Sequence, residues 1–252
     1  MKTTGNTILI TGGGSGIGRA LAEALHRLGN QVIISGRRRA ALDAVVAAHP
    51  GMAALTVDMT DPASIAAFAG RAVAEFPALN VVINNAGIMK PEDIGAAPDD
   101  LAIAEETIAT NLLGPIRLTA ALLPHLKGKD DAAILTVSSG LAFVPLAATP
   151  TYSATKAAIH SYSMSLRHRL KESGIEVIEI APPYVQTELM GEAQASDPRA
   201  MPLADFIDEV VTLLGTQPTP AEIIVERCKP LRFAAENGTI AAVFDGLNTM
   251  HG

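Results

Sequence analysis

Short apolar runs recur along the chain, and between them lie longer stretches whose apolar positions return every three or four residues. The runs at 7–10, 31–36, 53–58, 80–83, 132–137 and 175–180 read as strands, and a last strand is expected in AEIIVERC at 221–228. The periodic stretches at 19–29, 39–49, 63–76, 99–126 and 151–171 read as helices. Gly29 is a natural end for the first helix, and Asp61-Pro62 supplies the cap and first residue of the third. Strand and helix alternating in this way predict an α/β fold with a doubly wound parallel sheet. No Gly/Ser/Pro linker, internal repeat or low-complexity tract divides residues 1–252, so a single domain is expected.

The first strand runs into Thr11-Gly12-Gly13-Gly14-Ser15-Gly16-Ile17-Gly18, and a helix follows. Strand, glycine turn and helix form the setting for a phosphate-binding loop. Glycines let the backbone turn tightly and approach a pyrophosphate, and N–H groups at the helix start attract anions. Gly12, Gly14, Ser15, Gly16, Ile17 and Gly18 are therefore candidate dinucleotide ligands, and the sheet is of the Rossmann kind. At the end of the second strand an acid would bind the ribose 2′-hydroxyl of NAD, but Gly36 stands there, followed by Arg37-Arg38-Arg39. Cations at a helix start oppose the helix dipole, so these arginines suggest an anion to be met. Arg37, with Arg38, is expected to hold the 2′-phosphate, favouring NADP(H) over NAD(H). Asp58, relieved of turn duty by Asp61, is expected to meet the adenine amino group. The turn Asn84-Asn85-Ala86-Gly87 could either brace the sheet edge or lie along the ribose.

Tyr152 and Lys156, four residues apart on one helix face, would make an acid–base pair. An ammonium beside a phenol favours the phenolate and is expected to draw its pKa down from about 10 toward neutrality. Ser139, thirteen residues earlier at a strand end, could bind the same substrate oxygen. Ligands bind beyond the carboxyl ends of the strands in such sheets, so Ser139 and the glycine loop should share one rim.

Composition narrows the partners. With 252 residues and 48% hydrophobic content, the chain can bury a sizeable core. A net charge of −7 argues against a nucleic-acid backbone or an anionic membrane as partner. No uncharged apolar run reaches the length of a membrane span, the N-terminus has no signal-peptide pattern, and Cys228 is the single cysteine. A cytoplasmic location is expected. The six histidines form no HExxH or Cys/His cluster, so no metal is expected, and His160 and His168 read as surface or interface residues. No GxSxG elbow marks Ser139 as a hydrolase nucleophile.

TGGGSGIG, Asp58, NNAG, Asn111, Ser139 and YSATK together resemble the short-chain dehydrogenase/reductase family, in order and spacing, from about residue 5 to about residue 190. SSGLAFVPLA, KAAIHSYSMSLRHRL and EVIEIAPPYVQTEL further resemble a bacterial subgroup of oxidoreductases named after the operon for D-alanylation of lipoteichoic acid. The resemblance implies Tyr152 as catalytic acid/base and Lys156 as the group that lowers its pKa and binds the nicotinamide ribose. It implies Ser139 as donor to the substrate oxygen and Asn111 as holder of a water that relays protons to the lysine. Asn85, Ala86 and Gly87 are implied along the cofactor. Val185 and Thr187 are implied at the nicotinamide carboxamide, although Pro183 stands where the family's P-G-x-V-x-T segment has glycine. Residues 188–216 resemble the family's substrate lid, whereas beyond residue 218 the match fades into an interrupted terminal helix. A homodimer or homotetramer is implied, with the small residues Ala154, Ala157, Ala158 and Ser161 either packing on the sheet or forming the contact.

Met89, Phe143, Val144, Leu146, Tyr184, Leu189 and Met190 are the expected pocket wall, and with no charged anchor among them a small, neutral, rather apolar carbonyl or alcohol substrate is expected. The resulting expectation is an NADP(H)-dependent oxidoreductase. The alternatives are an NAD(H)-dependent enzyme of the same fold and a non-catalytic dinucleotide-sensing module, which would have no need of Ser139, Tyr152 and Lys156 together.

Overall fold

The computed structural model describes residues 1–93, 95 and 101–251. Apolar runs too short for helices pair as β1 (Thr7–Thr11), β2 (Gln31–Gly36), β3 (Ala53–Thr56), β4 (Val81–Asn84), β5 (Ala133–Val137), β6 (Glu176–Ile180) and β7 (Glu222–Ile223). They form one parallel sheet in the order β3-β2-β1-β4-β5-β6-β7. The order turns back between β1 and β4, and that reversal opens a crevice at the carboxyl ends of the strands. This is the Rossmann-like single α/β domain expected from the sequence.

Crossover helices cover both faces of the sheet. On one side α1 (Gly16–Arg27) and α2 (Arg39–Ala48) pack through Leu21, Leu25, Leu42 and Val45. On the other, α3 (Pro62–Glu75) brings Ile65 and Phe68 against the sheet, with Asp61 capping it as expected by accepting from the Ala63 N–H at 2.8 Å. The long helix expected over 99–126 starts outside the described residues at 99 and 100. Within them it is α4 (Ala102–Ile108), a π turn (Ala109–Leu113) and α5 (Gly114–Leu126) in succession. The Gly114 N–H reaches back five residues to the Ala109 carbonyl, and Pro115, which has no N–H to give, follows at once.

α6 (Pro150–Leu170) carries the Tyr–Lys pair. Its small residues do not pack on the sheet: Ala154, Ala157 and Ser161 are exposed, along with Met164. The stretch expected as a lid over 188–216 divides. Its first part holds only the short α7 (Glu192–Ala195), whereas α8 (Leu203–Leu214) buries Phe206, Ile207, Val210 and Leu214 beside α1. The i, i+3, i+4, i+7 apolar spacing of α8 explains this, since such a stripe must be covered. The last strand is two residues long and gives way to a 3₁₀ turn (Glu226–Cys228), α9 (Lys229–Arg232) and α10 (Ile240–His251), the interrupted helix expected there. Among the described residues no helix is long and apolar enough to cross a membrane.

Candidate active site

The glycine loop joins β1 to α1, and two of its positions require glycine. Gly12 has φ +71° and Gly16 φ +52°, a region that side chains avoid. A Cβ on Gly18 would run into the Asn85 side chain and the Gly12 carbonyl. Thr11, the last residue of β1, accepts at its hydroxyl from the N–H groups of Asn85 and Ala86, each at 3.0 Å, and its carbonyl accepts from Asn85 Nδ2 at 2.9 Å. The loop after β4 is thereby tied to the loop after β1. Asn85, Ala86 and Gly87 brace the sheet end and also line the groove beside it. Asn84 turns away, with its Nδ2 donating to Thr119 at 3.2 Å.

A groove of about 450 Å³ runs along this rim. It is lined by Arg37, Arg38 and Asp58 with Gly12, Gly14, Ser15, Gly16, Ile17 and Gly18 toward one end and by Ser139, Tyr152, Lys156 and Val185 toward the other, and Thr187 joins the two, 3.6 Å from where a Cβ on Gly16 would lie. At the first end Arg38 approaches Ser15 Oγ at 3.5 Å, and Arg37 lies 3.6 Å from Glu106 of α4, which Lys90 also pairs at 2.6 Å. Arg39 instead pairs with Asp43 one turn on, at the surface. Asp58 is not relieved of turn chemistry: its Oδ1 accepts from both the N–H and the hydroxyl of Thr60, at 2.9 and 2.8 Å. Those two bonds hold its carboxyl below the usual range. Aspartate followed two residues on by a donor is itself a turn signal, and here it operates beside the Asp61 cap.

At the other end the strand β5 delivers Val137, Ser138 and Ser139 in succession. Ser139 Oγ accepts from the Leu141 N–H at 3.1 Å, capping a 3₁₀ turn (Gly140–Ala142). The start of α6 is fixed by Glu92, whose two oxygens accept from the Thr151 N–H and hydroxyl at 2.9 and 2.7 Å. A carboxylate at a helix start satisfies otherwise orphaned donors and favours the dipole. That contact sets Tyr152, the next residue. Lys156 Nζ donates to the Val137 carbonyl at 2.8 Å and stands 5.5 Å from the centre of the Tyr152 ring. Asn111, in the π turn, grips Ile88 from both sides: its Oδ1 accepts from the Ile88 N–H and its Nδ2 donates to the Ile88 carbonyl, each at 2.9 Å. A Cβ on Gly87 would lie 3.3 Å from Asn111 Oδ1 and 3.6 Å from Lys156 Nζ, so those two polar groups converge across a glycine.

Burial, more than pairing, governs the titration here. The Tyr152 phenol is pushed up to about 12 by burial, against which its bond to Ser139 works. The Lys156 ammonium is brought down to about 8, also by burial, with the attraction of Glu179 opposing. The expected drop of the phenol toward neutrality is not found in this arrangement, where desolvation of the buried phenolate outweighs the bond from Ser139. The pair still offers a neutral phenol and a charged ammonium near pH 7.

Of the expected pocket wall, Met89 and Leu189 line the groove. Val144 and Leu146 are buried, and Phe143 is sandwiched between His160 and Arg232. The Tyr184 hydroxyl meets Asp197 at 3.1 Å. His160 is no surface residue: its Nδ1 lies 2.8 Å from the fully buried Glu179. With Glu222 these two bring three side chains of metal-ligating type within 4.8 Å of one another, a cluster the sequence did not suggest because its members come from three separate elements. Gln194 of α7 was also unforeseen. Its Nε2 donates to the Val185 carbonyl at 2.8 Å and to Thr187 Oγ1 at 3.1 Å, and nothing in a small polar loop segment signals such a side chain turning inward.

The family profile described as short chain dehydrogenase matches residues 6–198. This chain belongs to the short-chain dehydrogenase family. Its likeness to "Uncharacterized oxidoreductase DltE" of Bacillus subtilis is 40% identity over 252 residues, covering 99% of both chains. Among solved structures, a short-chain dehydrogenase from Sphingobium yanoikuyae in complex with NADPH superposes with a TM-score of 0.79 at 30% identity, over 95% of each chain. A 3-ketoacyl-(acyl-carrier-protein) reductase from Brucella melitensis complexed with NADH superposes at 0.76 with 26% identity, over 86% of this chain and 93% of that one. A nicotinamide dinucleotide is thus the cofactor type of the family, and its short-chain dehydrogenase members bind either form. The residues present fit such a group: a cradle that Cβ atoms would fill, N–H groups at a helix start, and Arg37 and Arg38 along the same groove.

Proposed function

We propose that the protein is an NADP(H)-dependent oxidoreductase interconverting a carbonyl compound and an alcohol. The observation that carries this is the meeting of Ser139, Tyr152 and Lys156 on one wall of the groove whose far end holds the glycine loop and Arg37–Arg38. The nicotinamide, when bound, exchanges a hydride with the carbonyl carbon. In reduction, Tyr152 gives its phenolic proton to the carbonyl oxygen, and the Ser139 hydroxyl donates a hydrogen bond to the same atom. Lys156, fixed by Val137, supplies the positive charge that stabilises the resulting phenolate. Asn111 holds the Ile88 backbone, keeping the wall around Gly87 in place, and orders the water from which a proton returns, by way of Lys156, to the Tyr152 phenolate.

Arg37 and Arg38 take the 2′-phosphate, and Asp58 meets the adenine. Val185 and Thr187 take the carboxamide of the nicotinamide ring. Residues 188–202 form the substrate lid, shorter than the sequence pattern alone indicated. The substrate is a small neutral carbonyl compound, since Met89 and Leu189 supply the apolar wall. The exposed apolar and small residues Leu101, Ile108, Leu113, Ala154, Ala157 and Met164 on α4, α6 and their neighbours form the contact of a homo-oligomer. A single buried thiol, Cys228, suits a reducing compartment such as the cytoplasm.

The test is a titration with NADPH, NADH and S-adenosylmethionine, followed by a screen of ketones and aldehydes for loss of nicotinamide absorbance. NADPH binding tighter than NADH, with turnover of at least one carbonyl, is expected. NADH binding as tightly as NADPH would overturn the arginine assignment. Nicotinamide binding with no turnover across the screen would favour a dinucleotide sensor.

A further inference from the structure

Successive side chains of a strand point to opposite faces, so Glu176 and Glu179 of β6, three residues apart, must part company. Glu176 reaches the surface, where the N-terminal ammonium pairs with it at 2.6 Å. Glu179 goes inward and is fully buried. A buried carboxylate is retained only with partners. Glu179 Oε1 accepts from Ser138 Oγ at 2.5 Å, and Oε2 meets His160 Nδ1 at 2.8 Å.

Both partners are next to the proposed chemistry. Ser138 is the chain neighbour of Ser139, and the residue before it, Val137, is the anchor of Lys156. His160 stands one helical turn beyond Lys156 on α6. From β7 Glu222 faces the same cluster, but Arg232 of α9 already pairs with it at 2.6 Å and with Glu236 at 2.7 Å. The Cys228 thiol, which feels both Arg232 and Glu179, is pushed up to about 12 by burial and stays neutral. Around Lys156 itself stand Tyr152 on the same helix, Asn111 across Gly87, and Glu179.

We propose that Glu179 is a positioning residue of this site: its carboxylate, bonded to Ser138 between the Lys156 anchor Val137 and Ser139, sets the turn that presents Ser139 and serves as the buried counter-charge of Lys156. The role rests on the oxidoreductase reading for its purpose, though the electrostatic coupling does not depend on turnover. Burial alone draws the lysine down, and Glu179 is the negative charge acting against that loss.

The coupling can be read without a substrate. In protein labelled with ¹³C at lysine Cε, the Lys156 resonance is identified by its disappearance in Lys156→Arg and followed through a pH titration. Glu179→Gln keeps the shape and one accepting oxygen, puts a donor in place of the other and removes the charge, and should lower the Lys156 midpoint by about one pH unit. His160→Gln keeps both a donor and the carboxylate, and should leave the midpoint in place. If Glu179→Gln does not fold, Glu179→Asp, which withdraws the charge by one methylene, should give a smaller fall in the same direction. An unmoved midpoint in the carboxylate variant, or an equal fall in His160→Gln, overturns the proposal. With NADPH and a carbonyl reduced by the unaltered enzyme, the alkaline limb of turnover should move down with the midpoint. Loss of turnover with the alkaline limb unmoved would show that the carboxylate does not act on the lysine and would also overturn it. Absence of turnover in the unaltered protein would count against the oxidoreductase reading and leave the midpoint result standing.

Discussion

The two ends of the groove are built on opposite electrostatic terms. At the end with the arginines, Arg37 is about half exposed, its partner Glu106 is 3.6 Å away, and water screens whatever the charges do. At the end with the tyrosine, Lys156 and Glu179 are buried, and desolvation moves the ionisation of each phenol, amine or thiol there by more than its neighbours do. The first end can recognise a multiply charged ligand and release it again. The second can hold an unstable charge long enough for a proton to move. On the proposed function, affinity and chemistry are thus separated along one crevice, by dielectric more than by residue type.

That division can be broken at four points of decreasing effect. Tyr152→Phe keeps the buried ring but removes the proton, so turnover should fall about 10²- to 10⁴-fold while NADPH binding persists, as steady-state kinetics and fluorescence titration would report. A variant retaining full turnover would locate the acid elsewhere. Arg37→Ala removes one charge-assisted contact of roughly 1.5–3 kcal/mol, which should weaken NADPH binding about ten- to a hundredfold and leave NADH nearly untouched. Equal loss for both cofactors would mean that Arg37 does not read the 2′-phosphate. The pH dependence follows from the lowered lysine. Its folded pKa of about 8 lies below the unfolded value, so the charged form is lost as pH rises through 8. Carbonyl reduction should therefore fall about tenfold between pH 7 and pH 9. A flat profile over that interval would show that the lysine charge is dispensable. Last, Arg39→Ala opens an exposed i, i+4 pair with Asp43 and should change neither the melting temperature nor cofactor affinity measurably. Weakened NADPH binding in that variant would extend the phosphate site by one arginine.

The same contrast explains what could be read from the sequence. Strand, glycine turn and helix are local patterns, and Gly12, Gly16 and Gly18 sit where the pattern required them. Tyr152 and Lys156 are four apart on a helix, so their common face was legible before any fold was known. Ser139 was reachable through its strand end. Side chains whose roles depend on distant elements were not legible. Glu179 lies in a run that reads only as a strand, and His160 reads as a surface or interface residue, because only the sheet and α6 together bring them face to face. Asp58 and Asp61 each had a turn available, and the backbone used both. Phe143 and Val144 follow Ser139 closely enough to suggest a pocket wall, yet the 3₁₀ turn after Ser139 swings them into packing.

The π turn at Ala109–Leu113 amounts to one surplus residue in an otherwise ordinary helix. Each helical residue advances the face by about 100°, so losing one residue there would rotate Asn111 or everything beyond it by that angle. A deletion of Leu112 should therefore give a more regular helix and an emptier grip on Ile88. The lesion would make the helix more regular while releasing the Asn111 contact with Ile88, an inversion of the usual link between mutation and damage.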